Sequence, residues 1–164
     1  MKSILKRIKY TIAAAFGTIT LLLISLILID RFLHEGTIHT RAQIPENYIE
    51  KINELGLLET TEKIEYLYTD ALFELEEGIY FVTNKHLVLF NQEWEPRGYI
   101  IPFENIRKVE IKFDYSYIND SIMTVRTLEH VVSFPLSSNE GKDKLFMKYL
   151  SEMIIHSPRL KSET

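Results

Sequence analysis

The residue types that most often carry chemistry are present here but not arranged for it. Five histidines, His34, His39, His86, His130 and His156, show no metal-ligand spacing, and no H-E-x-x-H exists. His86 and His130 each open a run of apolar residues, as a surface or hairpin residue does. Two acidic clusters, Glu74 with Glu76 and Glu77, and Glu93 with Glu95, hold the carboxylates that general acid–base chemistry uses. Such a pair needs a partner base and a shielded pocket. The neighbouring residues offer neither, so both clusters read as solvated loops. There is no glycine-rich phosphate loop, no G-x-S-x-G and no cysteine, which removes thiolate zinc sites and disulfides. Asn119-Asp120-Ser121 fits a glycosylation sequon, a triplet that matters only in a eukaryotic secretory setting. The expectation is a protein that is not an enzyme, with no catalytic, cofactor-binding or metal-binding residue and no cofactor.

What remains is contact chemistry. Trp94 stands among Glu93, Glu95 and Pro96, where an exposed indole would anchor a partner or a bilayer interface. The other reading is that it folds back over the edge of the domain. Tyr115 and Tyr117 alternate with Asp114 and Ser116, which places two aromatic rings on one side of an extended segment. Trp94, Tyr115 and Tyr117 are the candidate partner contacts.

The elements that must position these residues begin with an anchor. Tyr10 to Ile29 carries no charged side chain, and eleven of its residues are Leu, Ile or Phe. As a helix it spans about 30 Å, the thickness of a hydrocarbon core. Those eleven side chains favour insertion by about 3 to 7 kcal/mol. The hydroxyls of Thr11, Thr18, Thr20 and Ser25 can bond to the preceding turn. A cleaved signal peptide would have a shorter apolar core and a nearby small-x-small site. Here Asp30-Arg31-Phe32 follows directly, so an uncleaved single-pass anchor is expected. Lys2, Lys6, Arg7 and Lys9 flank it on the amino-terminal side. The positive-inside rule then puts the N-terminus in the cytoplasm and the rest of the chain outside the cell membrane.

Charge divides at the same point. Residues 1–31 hold five basic groups and one acid, a net +4; residues 32–164 hold fourteen basic groups and twenty-two acids, a net −8. An acidic domain is repelled by phosphate backbones, so nucleic acid is excluded as a partner.

Four segments follow: 1–33, basic flank and transmembrane helix; 34–58, a connector with a short helix from Pro45-Glu46 to Gly56; 59–157, a folded domain; and 158–164, a polar tail. Within the domain, seven short strands are predicted: Lys63–Tyr68, Ile79–Thr83, His86–Phe90, Gly98–Ile101, Arg107–Phe113, Ser121–Thr127 and His130–Phe134. Asn84-Lys85 and Asn119-Asp120 supply turns, and Pro135 is expected to end the last strand. One amphipathic helix capped by Ser138 then closes the domain. Leu145, Tyr149 and Met153 form its apolar line, with Phe146, Leu150 and Ile154 beside it.

On these residues a resemblance rests. The stretch from Gly78 to Phe90, GIYFVTNKHLVLF, resembles the hairpin of bacterial pleckstrin-homology (PH) and GRAM-like domains, with His86 where those families have Arg. Ile101-Pro-Phe-Glu-Asn-Ile-Arg-Lys-Val-Glu-Ile111 is similar to a second segment of the same families. The fold class so implied is α+β: a single N-terminal transmembrane helix, then a PH-like seven-stranded antiparallel barrel or sandwich capped by a C-terminal amphipathic helix. The resemblance implies a platform for peptides or neighbouring subunits, and a cytoplasmic domain, against the orientation drawn from charge. Phosphoinositide binding is not expected, because the segment Thr69 to Gly78 has four acids and no base. The expected function is a membrane-anchored protein–protein interaction or assembly module. The alternative is a membrane-tethered carrier or sensor of an apolar ligand or lipid.

Overall fold

The structure is a computed structural model that describes residues 16–26, 36–71, 74–115 and 119–158. The chain divides into two compact units, Met1–His34 and Glu35–Thr164.

In the first unit, residues 16–26 form a helix, and its apolar side chains, Phe16, Ile19 and Leu21 to Ile24 among them, are exposed. Thr20 donates its hydroxyl to the Phe16 carbonyl at 2.9 Å, as expected of a hydroxyl in a hydrophobic helix. Among the described residues, no helix is long and apolar enough to cross a membrane. The expected span, Tyr10 to Ile29, lies partly outside them, at residues 10–15 and 27–29.

Among the described residues, the second unit contains eight strands in two antiparallel sheets. The first sheet is ordered β1 (His39–Thr40), β2 (Ile64–Thr69), β3 (Ile79–Thr83), β4 (His86–Phe90) and β5 (Gly98–Pro102). The second is β6 (Lys108–Lys112), β7 (Ser121–Arg126) and β8 (Val131–Leu136). All seven expected strands are there. The added strand, β1, lies in the stretch read as a polar connector; Ile38, just before it, is fully buried. The sheets do not close into a barrel, so of the two expected architectures the described strands form the sandwich.

Alternation explains both faces of the first sheet. Tyr68, Tyr80, Leu89 and Tyr99 lie opposite one another across β2 to β5 and point inward. With Val82, Leu87 and Ile101 they meet Met123, Val125, Phe134 and Leu136 of the second sheet. Leu67, Phe81, Val88 and Ile100 form the matching row on the outer face. Helix α1 (Glu46–Glu54) covers that row with Ile52, which is fully buried on Leu67, Phe81 and Val88. Its cover stops short of Ile100, which stays half exposed. Each large apolar side chain so enclosed contributes about 1.5 to 3 kcal/mol.

Helix α2 (Lys142–His156) sets Phe146 and Leu150 into the inner core, where Phe146 meets Phe134. Two expectations are corrected here. Helix α2 begins four residues after Ser138, because Glu140 and Gly141 adopt φ of 57° and 67° and interrupt the turn that Asn139 starts. Leu145, placed on the apolar line, is exposed. The third correction is Pro135, which lies inside β8 rather than ending it. Thr127 donates to the His130 carbonyl, so by alternation residue 135 turns its backbone toward the open edge, where a missing N–H costs no ladder bond.

Candidate functional site

The feature with the clearest capacity to bind is the free edge of β5. Asn91 donates its backbone N–H to Arg97 O at 2.8 Å, and the register runs Phe90↔Gly98, Leu89↔Tyr99, Val88↔Ile100. In an antiparallel ladder, bonded and non-bonded pairs alternate. Tyr99 and Ile101 therefore spend their backbone groups on β4, while Gly98 and Ile100 turn theirs outward, where no strand stands among the described residues. Pro96 and Pro102 flank this pair and have no N–H to offer. The strand itself, Gly98 to Pro102, carries no charge.

The following strand shows what a protected edge looks like. On β6, Lys108, Glu110 and Lys112 all face solvent. Glu110 meets Lys108 at 2.8 Å and Arg126 at 3.4 Å. Charged edges resist pairing with a second chain. The β5 edge lacks that defence.

Beside it opens a cavity of about 380 Å³, lined among others by Tyr99, Ile100, Pro102, Asn105, Leu128 and His130. Leu128 is 78% exposed at the tip of the β7–β8 hairpin. Two rings, Tyr99 and His130, line the cavity, and Trp94 and Tyr80 stand behind them. His130 lies 5.3 Å from Tyr99, Tyr99 is 6.2 Å from Trp94, and Trp94 is 6.0 Å from Tyr80, centroid to centroid. Local bonds bring Trp94 there. The Asn91 side chain accepts from Glu93 N at 2.8 Å and its carbonyl from Trp94 N at 3.1 Å, which folds the loop back. Trp94 thus packs, half-buried, against the core.

At the same end of the first sheet lie two carboxylates that meet phenols rather than cations. The Tyr68 hydroxyl donates to Asp120, and the Tyr80 hydroxyl donates to Asp70 at 3.2 Å. Burial raises both carboxyl pKa values above the usual range, and neighbouring acids push Asp70 further in the same direction. Burial also raises the phenol pKa values of Tyr68 and Tyr80, so both remain hydroxyl donors. Gly78 makes the contact possible: a Cβ there would fall 1.7 Å from Asp70 Oδ1.

The opposite end is closed by a second polar cluster. The Glu62 side chain is only 1% exposed. One of its oxygens meets His86 Nδ1 and accepts from Thr83 Oγ1 at 3.1 Å; the other accepts from Glu59 N at 3.2 Å. Thr83 Oγ1 also accepts from the backbone N–H groups of Lys85 and His86, at 3.0 and 2.8 Å. These bonds fix the Thr-Asn-Lys-His turn. Among the described residues, no group of three or more potential ligands could hold a metal.

Of the three contact residues read from the sequence, Trp94 does not line the cavity; it packs behind Tyr99, against the core. Tyr115 is elsewhere: it is exposed, and Lys144 Nζ lies 5.6 Å from its ring. Tyr117 lies outside the described residues. Sequence reasoning missed Glu62 as a buried acid, missed the contacts of Asp70 and Asp120 with phenols, and missed the β5 edge. One signal for the edge was available, since Pro96 and Pro102 each stand three residues from Tyr99.

No family model matches the chain. No curated protein matches it either. Among solved structures it is similar to a DUF1696-family protein with a pleckstrin-homology domain from Shewanella loihica (14% identity, 73% of this chain and 98% of that one, TM-score 0.49). It is also similar to a pleckstrin-homology domain from Shewanella amazonensis (12%, 64% and 86%, TM-score 0.44). A third is a PH-domain-containing protein from Exiguobacterium sibiricum (19%, 73% and 63%, TM-score 0.48). At such values these likenesses add nothing to what the chain's own topology shows.

Proposed function

We propose that this chain is a membrane-anchored PH-like domain that serves as a protein–protein interaction or assembly module and performs no catalysis. The single observation that carries the reading is the uncharged β5 edge, unpaired among the described residues, beside a cavity lined by Tyr99 and His130 among others. Such an edge recruits an extended segment through main-chain bonds, and the adjoining pocket selects its side chains. The strand order and the C-terminal helix seated on the inner core support the PH-like assignment. The uncharged run from Tyr10 to Ile29 supports the anchor, with the N-terminus in the cytoplasm and the domain outside. The acids of the β2–β3 segment, one of them tied to Lys51 at 2.6 Å, argue against inositol phosphates as ligands.

Site-specific photocrosslinking from Leu128 in native membranes tests the interaction. Discrete adducts that disappear with Ile100→Lys support the module; no adduct from Leu128, with the protein present at normal abundance, overturns it. Protease added to intact cells should remove the domain, and survival of the domain overturns the orientation.

A further inference from the structure

We propose that the partner taken by the β5 edge is a second copy of this chain, paired antiparallel about a two-fold axis at Tyr99. The proposal rests on the interaction-module reading and names its partner. It follows from the symmetry of the edge. The outward groups of β5 belong to Gly98 and Ile100, one residue to either side of Tyr99. Set antiparallel against itself about Tyr99, the strand brings Gly98 opposite Ile100 of the copy, and Ile100 opposite Gly98. Each of those pairs can exchange two main-chain bonds. Pro96 and Pro102 stand three residues to either side of the same point and become each other's counterparts. Neither has an N–H, so the donor row ends on both sides with nothing left over.

The side chains fit the same operation. A two-fold interface must be self-complementary, and a charged strand laid on itself sets like charges together. Gly98 to Pro102 has no charge to oppose its copy. Ile100, 50% exposed where α1 stops short, gains cover from the outer face of the copy's first sheet. On the inner face, the 380 Å³ cavity beside Tyr99 leaves room for the copy's side chains. A charged strand such as β6, with its alternating Lys and Glu, presents no comparable row. The result is a continuous ten-stranded sheet, five strands from each copy.

The chain has no cysteine, so a single introduced thiol reports the geometry without interference. Residues 99 of the two copies form a non-bonded pair with Cα atoms about 4.5 Å apart, within disulfide reach. Residues 97 lie four positions apart along the strands, about 13 Å. Full-length Tyr99→Cys, purified in detergent and mildly oxidised, is expected to form a covalent dimer, and Arg97→Cys is not. The unmodified full-length protein should sediment as a reversible dimer. Ile100→Lys should raise its dissociation constant at least about tenfold without lowering the unfolding midpoint. That variant keeps the test alive if Tyr99→Cys fails to fold. Equal crosslinking at 97 and 99 overturns the two-fold register. A monomer at every concentration up to about 100 μM overturns self-pairing altogether. If Leu128 adducts then prove to be with a different chain, only the identity of the partner falls; if there are no adducts at all, the module reading falls with it.

Discussion

The two ends of the first sheet hold their carboxylates by different means. At the end closed by the Thr83–His86 turn, Glu62 is almost fully enclosed, and an imidazole, a hydroxyl and a backbone N–H all point at its oxygens. At the end beside Trp94, Asp70 is exposed and Asp120 partly buried, and each meets one phenol. The first arrangement supplies three polar partners; the second supplies one phenol to each carboxyl, and there desolvation lifts both carboxyl pKa values. A buried acid is tolerated either by a group that can share its charge or by a shift toward its neutral form. Here Glu62 is met by three polar groups at one end of β2 and β3, and Asp70 and Asp120 by one phenol each at the other.

The contrast is open to attack from either side, and the largest effect is expected at the closed end. His86→Leu leaves Glu62 enclosed without its imidazole and should destabilise the fold by about 3 kcal/mol in chemical denaturation. Glu62→Gln in the same background should recover part of the loss, because the amide needs no charge partner. Recovery of nothing would mean that His86 matters for packing alone.

Gly78→Ala comes next. Its Cβ would lie 1.7 Å from Asp70 Oδ1 and 2.8 Å from the Tyr80 hydroxyl, so the Asp70–Tyr80 bond must break. A loss of about 1 to 2 kcal/mol is expected. The double variant Gly78→Ala with Asp70→Ala should cost less than the two single losses combined, since the smaller side chain removes the collision. Strict additivity would show that the glycine serves some other purpose.

The smallest effect belongs to Asp120→Asn, and its sign is the informative part. A carboxyl whose pKa is raised on folding binds protons more tightly in the folded state than in the unfolded one. Its contribution to stability is present below the ordinary value of 3.8 and is lost as pH rises through the raised folded value. Asp120→Asn keeps an oxygen for the Tyr68 hydroxyl and has nothing to titrate. The variant should therefore show a flatter pH profile above 3.8 and equal or greater stability at neutral pH. A steeper profile in the variant would contradict the assignment of the raised pKa to Asp120.

How far these clusters could be read in advance follows from the range of the forces involved. Seven strands and the closing helix announce themselves through alternation and helical periodicity, which are local properties of the chain. Thr83-Asn84-Lys85-His86 was legible as a turn for the same reason. The partner of its histidine was not: Glu62 precedes His86 by 24 residues, and only the pairing of β2 with β3 brings them together. Asp120 is 52 residues from Tyr68 and reads locally as a turn acid. Burial also depends on what stands opposite. Leu145 sits on the apolar stripe of α2 yet faces solvent, because the core ends before reaching it. The two-residue strand β1 is too short to show a period at all.

The loop that folds Trp94 back onto Tyr80 and Tyr99 has a practical result. The chain has one tryptophan, and it lies against the ring whose hydroxyl binds Asp70. Its fluorescence is therefore a built-in optical probe of that one end of the sheet. With excitation beyond the tyrosine absorption band, its emission wavelength and quenching report docking at β5, or proton uptake by the nearby acids, with no dye attached.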